Sequence, residues 1–200
     1  SRRQAGGPNC LRPEALSARA RWNLASTLGE LIESGEYRPS EPRTTWIDKG
    51  RGRGQRPIRI QNIEDRCVAR AVLQIIRPYT ESQYLDHSMG FRSPGCSRER
   101  ALVTAEHWGQ NHDPWVWICE DLRDAFEHIP TSRLAQILRQ LIPNEKLCRF
   151  IERIAFTRSG RGVRQGGPLS REVLNIYVHW VLDRWRSQQF PYHPLLRVAD

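Results

Sequence analysis

Two short apolar runs in this sequence each lead directly into a carboxylate. The first, PWVWICEDL, alternates large β-forming side chains before Glu120 and Asp121. The second, LLRVAD, runs from Leu195 through Ala199 into Asp200. Runs of this kind are typical of strands buried in a sheet. The sequence therefore predicts two interior strands with an acidic residue at the end of each.

The carboxylates around the first run have two interpretations. Asp124 and Glu127 follow Glu120 and Asp121 closely, and such a group repels itself unless a cation or an Arg lies within it. A strand end followed by a solvated turn would need no cation. Two aspartates at the ends of adjacent strands would instead form a divalent-metal site with positions left for phosphates. Both interpretations stay open, because the runs themselves do not set which strands are neighbours.

The charge balance favours a polyanionic partner. Lys and Arg number 31 against 22 Asp and Glu, which gives a formal net charge of +9, and Arg far outnumbers Lys. Guanidinium groups bind phosphates through paired hydrogen bonds and stack on bases, so nucleic acid is the simplest partner. An Arg-rich genome would produce the same balance without such a partner.

Other residue types argue against several classes of protein. The 5 Cys and 6 His show neither CxxC nor HExxH spacing, which disfavours a zinc site and a disulfide framework. No apolar run approaches the ~20 residues of a membrane span, and no signal peptide is evident. We therefore expect a cytoplasmic protein without a membrane partner. Both ends look cut, so we also expect a fragment.

Helical periodicity and capping residues predict most of the secondary structure. Helices are predicted over residues 15–34, 62–77, 97–111, 131–141, 144–157 and 168–189, and strands on both sides of KGRGRGQ, at 115–119 and at 195–199. Pro78 is expected to end the second helix and Pro168 to open the last one. Helices mixed with separated strands predict an α+β fold.

Two glycine-rich stretches are candidates for a close approach to phosphate. RGVRQGGPLS lacks the GKS or GKT ending of a Walker loop and is weak evidence by itself. KGRGRGQRPIR is the better candidate, although an exposed hairpin with solvated Arg would have the same composition. Its cations are Lys49, Arg51, Arg53, Arg56 and Arg59.

The order of these stretches resembles the reverse transcriptases encoded by group II introns. GEYRP, a strand before a Gly-rich turn, RPIRI, DR and SMGFRS follow one another like that family's finger motifs. CEDLRDAFEHIP is similar to its first catalytic palm motif, GVRQGGPLSREVLNIYVHWVLD to its P-Q-G-G motif, and LLRVAD to the start of R-Y-A-D-D. The resemblance covers residues 24–200, and several collinear motifs make it very specific.

The resemblance implies an α+β right-hand polymerase with fingers, a partial palm and no thumb, in which a small antiparallel sheet is flanked by helices. Residues 1–13 are expected to form a flexible end, 14–114 the fingers-like region and 115–200 the palm-like region, truncated within the Y-x-D-D motif. Such a fragment should polymerise poorly or not at all by itself.

The family also implies catalytic and metal-binding roles. Asp121 and Asp200 match catalytic aspartates that bind metal, and Leu122 matches a residue whose backbone carbonyl can also reach the metal. Lys49 and Arg56 match finger residues that clamp the incoming triphosphate. The implied cofactor is Mg²⁺, with Mn²⁺ as an alternative.

Further positions match residues around the incoming nucleotide and its helix. Ala125 stands where the side chain faces the sugar, and its small size leaves discrimination against ribonucleotides open. Gln165 and Gly166 match the loop that packs against the nascent base pair. Asn175 and Tyr177 match residues that hold the following helix as structure.

Four positions depart from the family pattern. Gln61, Arg164 and Arg171 each replace a usual Pro, and Val198 replaces a usual Tyr. None of these departures removes a catalytic group. Arg164 and Arg171 are expected to add positive charge near a nucleic-acid groove.

The function implied is RNA-directed DNA synthesis, with an RNA template, a DNA or RNA primer and dNTPs as partners. Intron RNA is a further candidate partner. Two alternatives stay open: a maturase that binds RNA without polymerising, and an RNA-dependent RNA polymerase.

Overall fold

Helices dominate the fold. The computed structural model describes residues 6–48, 50, 54–92, 96–111, 116–193 and 195–199, with the backbone alone at residue 56. The helices are α1 (Ala18–Glu33), α2 (Ile63–Glu81), α3 (Arg98–Asn111), α4 (Ala125–His128), α5 (Thr131–Leu141), α6 (Glu145–Ala155), α7 (Pro168–Val178) and α8 (Arg184–Gln189). The strands are β1 (Arg43–Asp48), β2 (Gln55–Ile60), β3 (Ser88–Met89) and β4 (Arg197–Val198). None of the described helices is long and apolar enough to cross a membrane.

The predicted helices are confirmed, and α3 and α6 begin with side-chain caps. Ser97 Oγ accepts a hydrogen bond from the Arg100 backbone N–H at 3.2 Å at the start of α3. Asn144 Oδ1 accepts one from the Leu147 N–H at 3.0 Å at the start of α6. These side chains satisfy backbone donors that have no partner within the helix. The helix predicted over 168–189 is continuous but contains a π-helical turn, His179–Asp183, between α7 and α8.

The prediction that α2 ends at Pro78 is wrong, because the helix continues to Glu81. Proline removes one backbone hydrogen bond from a helix, which disfavours its continuation. Here tertiary contact compensates: Thr80 Oγ1 donates to the buried Glu172 Oε1 of α7 at 2.7 Å. The last turn of α2 is thereby fastened to another helix.

Residues before α1 lie against the start of α2. The Asn9 backbone N–H donates to Asn62 Oδ1 at 3.2 Å, and the Asn9 side-chain amide donates to Glu64 Oε1 at 2.9 Å. Asn62 is the N-cap residue of α2, but its side chain accepts from Asn9 and makes no capping hydrogen bond to its own helix. The expected region boundaries stay predictions.

The described strands form two separate pairs. β1 and β2 are antiparallel, with Arg43 opposite Ile60 and Asp48 opposite Gln55, which confirms the predicted hairpin. β3 and β4 are parallel, with Ser88 opposite Arg197. The expectation of one small antiparallel sheet is therefore correct only for β1 and β2.

The buried strand predicted at 115–119 is a second correction. Residues 116–120 have no regular structure, and Val116 and Ile118 are 88% and 82% exposed. A strand needs a neighbouring strand for its backbone N–H and C=O groups. Among the described strands, β4 takes β3 as its neighbour, and β1 and β2 pair with each other. Strongly β-forming residues without a partner strand therefore stay irregular.

The hydrophobic core lies where α2, α5, α6 and α7 meet. Ile76, Leu134, Ile151 and Val173 come from these four helices, and each is 0% exposed. Burying one such side chain contributes roughly 1.5–3 kcal/mol. Helix packing therefore supplies most of the apolar stabilisation and forms the base on which the loops rest.

A buried ion pair joins β4 to the helix that follows α7. Arg197 Nε donates to Asp183 Oδ1 at 2.8 Å, and Arg197 Nη2 donates to Asp183 Oδ2 at 2.7 Å. Asp183 is 0% exposed and Arg197 5%. Burial opposes ionisation of Asp183, but the hydrogen bonds from His179 and Arg197 and the Arg197 charge outweigh it, so the pKa of Asp183 is lowered. Both partners therefore stay charged in the interior.

A second buried carboxylate, Glu172, ties α7 to the end of α2. Its Oε1 accepts hydrogen bonds from Thr80 Oγ1 and, at 2.9 Å, from the Tyr84 hydroxyl. Burial raises the pKa of Glu172, although both hydrogen bonds act in the opposite direction. The protonated form is therefore favoured in the folded state more than in the unfolded chain.

Replacing Asp183 with Ala should lower the free energy of unfolding by roughly 3–5 kcal/mol, because it leaves a buried guanidinium without its counter-ion. Urea unfolding followed by circular dichroism measures this. Glu145→Ala is the control, since Glu145 forms an exposed pair with Arg149 and should contribute little. Equal effects of the two substitutions would contradict the structural role of the buried pair.

Glu172→Gln should stabilise the protein at neutral pH but not in acid. The amide keeps an oxygen that accepts from Thr80 and Tyr84. Because the pKa of Glu172 is raised in the folded state, its protonation stabilises the fold. This contribution to the free energy of unfolding is complete below the ordinary pKa of Glu and is lost as pH rises through the folded pKa. The stability gained by the substitution should therefore grow as the pH rises above about 4.5, the ordinary pKa of Glu.

The change in stability caused by Glu145→Gln should depend on pH in the opposite direction from that caused by Glu172→Gln. Hydrogen bonds from Arg149 and Arg139 lower the pKa of Glu145 despite some opposing desolvation, so its contribution is lost as pH falls. Urea unfolding over the same pH series measures both variants. A pH-independent difference between wild type and Glu172→Gln would refute the raised pKa.

Candidate active site

The acidic first part of the predicted palm motif, through Asp124, lies at the surface. Residues 116–122 lead without regular structure to Asp124, which has a left-handed backbone (φ +49°) and precedes α4. Asp121 and Leu122 are both exposed. The Asp121 carboxylate is thus accessible to water and to a cation.

The other predicted catalytic aspartate, Asp200, lies outside the described residues. The strand that leads to it is described: β4 pairs with β3, and Ala199 follows with φ +70°. The described neighbour of β4 is therefore β3 and not the stretch that carries Asp121. The pairing of Asp121 with Asp200 stays a prediction.

The donor chemistry of the predicted metal site fits a hard divalent cation. Carboxylate and carbonyl oxygens, as at Asp121 and Leu122, are the ligands that Mg²⁺ takes in proteins. In the part of the chain that the structure describes, no group of three or more His, Cys, Asp or Glu is placed to hold a metal. The predicted site therefore fits Mg²⁺ in the chemical type of its ligands.

The loop that carries Gln165 and Gly166 lies against the end of β2. Gly166 has φ +98°, and a Cβ at this position would lie 2.0 Å from the Arg59 carbonyl oxygen. A Cβ on Gly167 would lie 2.6 Å from Gln61 Oε1. Glycine permits both this left-handed conformation and this close approach. The two glycines therefore allow the loop to pack closely against the end of the β1–β2 hairpin.

The same loop contacts the segment that begins with Ala125. The Val163 N–H donates to the Phe126 carbonyl oxygen at 2.8 Å, and Gln165 Nε2 lies 3.4 Å from Glu127 Oε1. Ala125 opens α4 and packs, half-buried, against the core. The structure thus brings together three predicted pieces: the hairpin, the Gly-rich loop and the start of α4.

Of the predicted triphosphate clamp, only the backbone of Arg56 is described. Arg56 lies in β2 opposite Ile47 of β1, and Lys49 lies outside the described residues. The roles of Lys49 and Arg56 stay predictions.

A buried Tyr–Asp pair was missed at the sequence level. The Tyr37 hydroxyl donates to Asp65 Oδ1 at 2.6 Å, and the Ser40 N–H reaches Asp65 Oδ2 at 3.3 Å. Burial raises the pKa of Asp65, against the hydrogen bonds from Tyr37 and Ser40, and burial also raises the pKa of Tyr37. The pair fastens the segment before β1 onto α2. Tyr37 lies in the GEYRP stretch and Asp65 in the DR stretch that carry the family resemblance.

Two cations expected near a nucleic-acid groove have partners within the protein. Arg164 Nη1 lies 3.2 Å from Glu41 Oε1, and its Nε donates to the Phe156 carbonyl oxygen at 3.4 Å. The Arg171 guanidinium lies over the Phe91 ring, 5.2 Å from its centroid. Part of the added positive charge is therefore offset internally.

Comparison with known proteins agrees with the order of these pieces. The chain is 30% identical over 177 residues to Protein YkfC of Escherichia coli, covering 82% of this chain and 45% of YkfC. It is 26% identical over 159 residues to the group II intron-encoded protein LtrA of Lactococcus lactis, covering 74% of this chain and 26% of LtrA. The chain thus spans less than half the length of these curated relatives.

A solved structure gives the same indication for the fold alone. A chain of a partial Cas6-RT-Cas1–Cas2 complex superposes with a TM-score of 0.50 at 17% identity, covering 94% of this chain and 33% of that chain. Residues 47–198, most of the sequence, match the family described as reverse transcriptase (RNA-dependent DNA polymerase). The chain therefore belongs to the reverse transcriptase family.

Proposed function

We propose that this chain is the fingers and palm-like part of an RNA-directed DNA polymerase that extends a DNA or RNA primer with dNTPs on an RNA template. The family match over residues 47–198 carries this proposal. Residues 14–114 would form the fingers and residues 115–200 the start of the palm. The contacts between the Gly-rich loop, the hairpin and α4 support it, since a polymerase must hold template, nucleotide and primer in one place.

The reaction joins the primer 3′-hydroxyl to the α-phosphorus of a dNTP and releases pyrophosphate. Enzymes of this family use divalent metal ions. Asp121, Asp200 and the Leu122 carbonyl would hold them, with Mg²⁺ as the proposed ion and Mn²⁺ as an alternative. Such ions, when bound, lower the pKa of the attacking hydroxyl and neutralise charge on the leaving pyrophosphate.

The other site residues would position the nucleotide. Lys49 and Arg56 would neutralise the triphosphate from the hairpin, which lowers the cost of bringing it to the carboxylates. Gln165 and Gly166 would present their backbone to the nascent base pair. The small side chain of Ala125 leaves room beside the sugar.

Template and primer would be held mainly through their phosphates. The formal net charge of +9 comes largely from Arg, which binds phosphate without reading sequence. Binding should therefore weaken steeply with salt, and structured RNA, including intron RNA, would be recognised by shape.

Asp121→Asn should lower primer extension by the full-length protein at least ~100-fold, because an amide is a poor metal ligand and carries no charge. Extension of a DNA primer on an RNA template, with dNTPs and Mg²⁺, measures this. Asp124→Asn is the matched control: Asp124 is an exposed neighbour, and Asn tolerates its left-handed backbone well. The control should keep near-wild-type activity.

The same assay separates the alternatives. An active wild type with an equally active Asp121→Asn variant would refute the metal assignment. RNA binding without extension would identify the maturase, and preference for ribonucleotides over dNTPs would identify an RNA polymerase. Replacing Mg²⁺ with Mn²⁺ tests the cofactor.

Gly166→Ala should lower both stability and primer extension, because its Cβ would meet the Arg59 carbonyl and push the loop off β2. Gly160→Ala is the matched control, since Gly160 also has a positive φ (+75°) but has open space around its Cβ position. The backbone cost common to both is about 1–2 kcal/mol. The melting temperature and the primer-extension rate are measured for both variants. Equal losses in the two variants would show that the contact with Arg59 is unimportant.

A further inference from the structure

We propose that Arg197 is a positioning residue for catalysis. Its buried guanidinium binds three separate segments of the chain and thereby fixes the peptide group that precedes Asp200. The inference rests on the proposed function for the role of Asp200. Its structural part rests only on described residues.

The Arg197 guanidinium has partners on every side. Nε and Nη2 bind the Asp183 carboxylate, Nη1 donates to Asn175 Oδ1 at 2.7 Å, and Nη2 also donates to Ser88 Oγ. Nη1 further donates to the carbonyl oxygen of Ala199, two residues along the chain. A planar fork with fixed donor directions can join these groups at once, whereas an ammonium group cannot reproduce that geometry.

Ala199, the residue before Asp200, is fixed from both sides of its backbone. Its carbonyl accepts from Arg197, and its N–H donates to the Met89 carbonyl oxygen at 3.0 Å. Gly90 lies directly against it, because a Cβ on Gly90 would be 2.8 Å from the Ala199 nitrogen. These contacts together restrain the Ala199 backbone.

The Ala199 backbone is also strained. Its φ of +70° is unusual for a residue with a Cβ and costs about 1–2 kcal/mol. Such conformations persist where the surrounding structure holds them, and they concentrate at functional sites. The strain at Ala199 is held by Arg197 and Met89, so the buried cluster sets the direction in which the chain leaves β4.

The cluster also connects stretches that the sequence presents separately. Ser88 and Gly90 come from SMGFR, Asn175 and Asp183 from the long helical motif, and Arg197 from the terminal motif. Asn175 Nδ2 lies 3.4 Å from the Gly90 carbonyl oxygen, which closes the arrangement. A single set of polar contacts thereby aligns the turn after β3, the π-helical turn and β4.

Arg197→Lys in the full-length protein tests the proposal, because it keeps the charge but loses the fork. Hydrogen exchange should become at least tenfold faster at the Ala199 amide. Mn²⁺ affinity, measured by electron paramagnetic resonance, should fall about tenfold, and kcat per folded molecule should fall roughly 10- to 100-fold. KM for dNTP and affinity for template–primer should stay within about twofold.

Ser88→Ala is the second variant, since it removes one contact and leaves the Arg197–Asp183 pair in place. It should show the same pattern with a smaller effect. Arg184→Lys is the matched control: this Arg lies over the Trp180 ring, outside the cluster, and should leave every readout unchanged.

The readouts separate positioning from simple stabilisation. If Arg197→Lys lowers only the melting temperature, with exchange at Ala199, Mn²⁺ affinity and kcat per folded molecule unchanged, the proposal is overturned. If the wild type does not extend primers, the proposed function fails, while exchange and Mn²⁺ binding still decide whether Arg197 sets the geometry at Asp200.

Discussion

The buried ion pair between Arg197 and Asp183 is the contact on which the rest of the predicted palm depends. Neither charge could remain in the interior alone, because an isolated ion loses its hydration without compensation. The pair therefore forces β4, α7 and the turn after β3 into one arrangement. Apolar packing of α2, α5, α6 and α7 offsets the cost of removing the two charges from water.

A second constraint is the absence of side chains at Gly166 and Gly167. Gly166 lets the loop approach the Arg59 backbone in β2 more closely than a Cβ would allow, and Gly167 leaves room for the Gln61 side chain. The loop then reaches the segment after Asp124 through backbone hydrogen bonds. Positions at 125, 127, 165 and 166, distant in sequence, lie in one region because two glycines permit the contact.

The exposed stretch before α4 makes no comparable contacts among the described strands. Val116 and Ile118 have the character of strand residues, yet no described strand borders them. Backbone groups without a partner are better solvated than forced into an isolated strand.

The sequence by itself determined the local elements and the family. Capping residues such as Ser97 and Asn144 act through neighbours three residues away, so their helices were predictable, as was the hairpin around the Gly-Arg loop. The motif order also indicated which residues to examine. Interactions within a few residues depend little on the rest of the fold, which is why these predictions succeeded.

Tertiary structure alone decided the long-range contacts. It carried α2 past Pro78, made β4 parallel to β3 and left 116–120 outside any sheet. It also paired Tyr37 with Asp65 and Arg197 with Asp183. The contacts at Thr80, β4, Tyr37 and Arg197 each need a partner elsewhere in the chain, and the free energy of pairing or burying it exceeds the local preference. Residues 116–120 show the converse, because no described strand lies beside them to satisfy their β-forming preference.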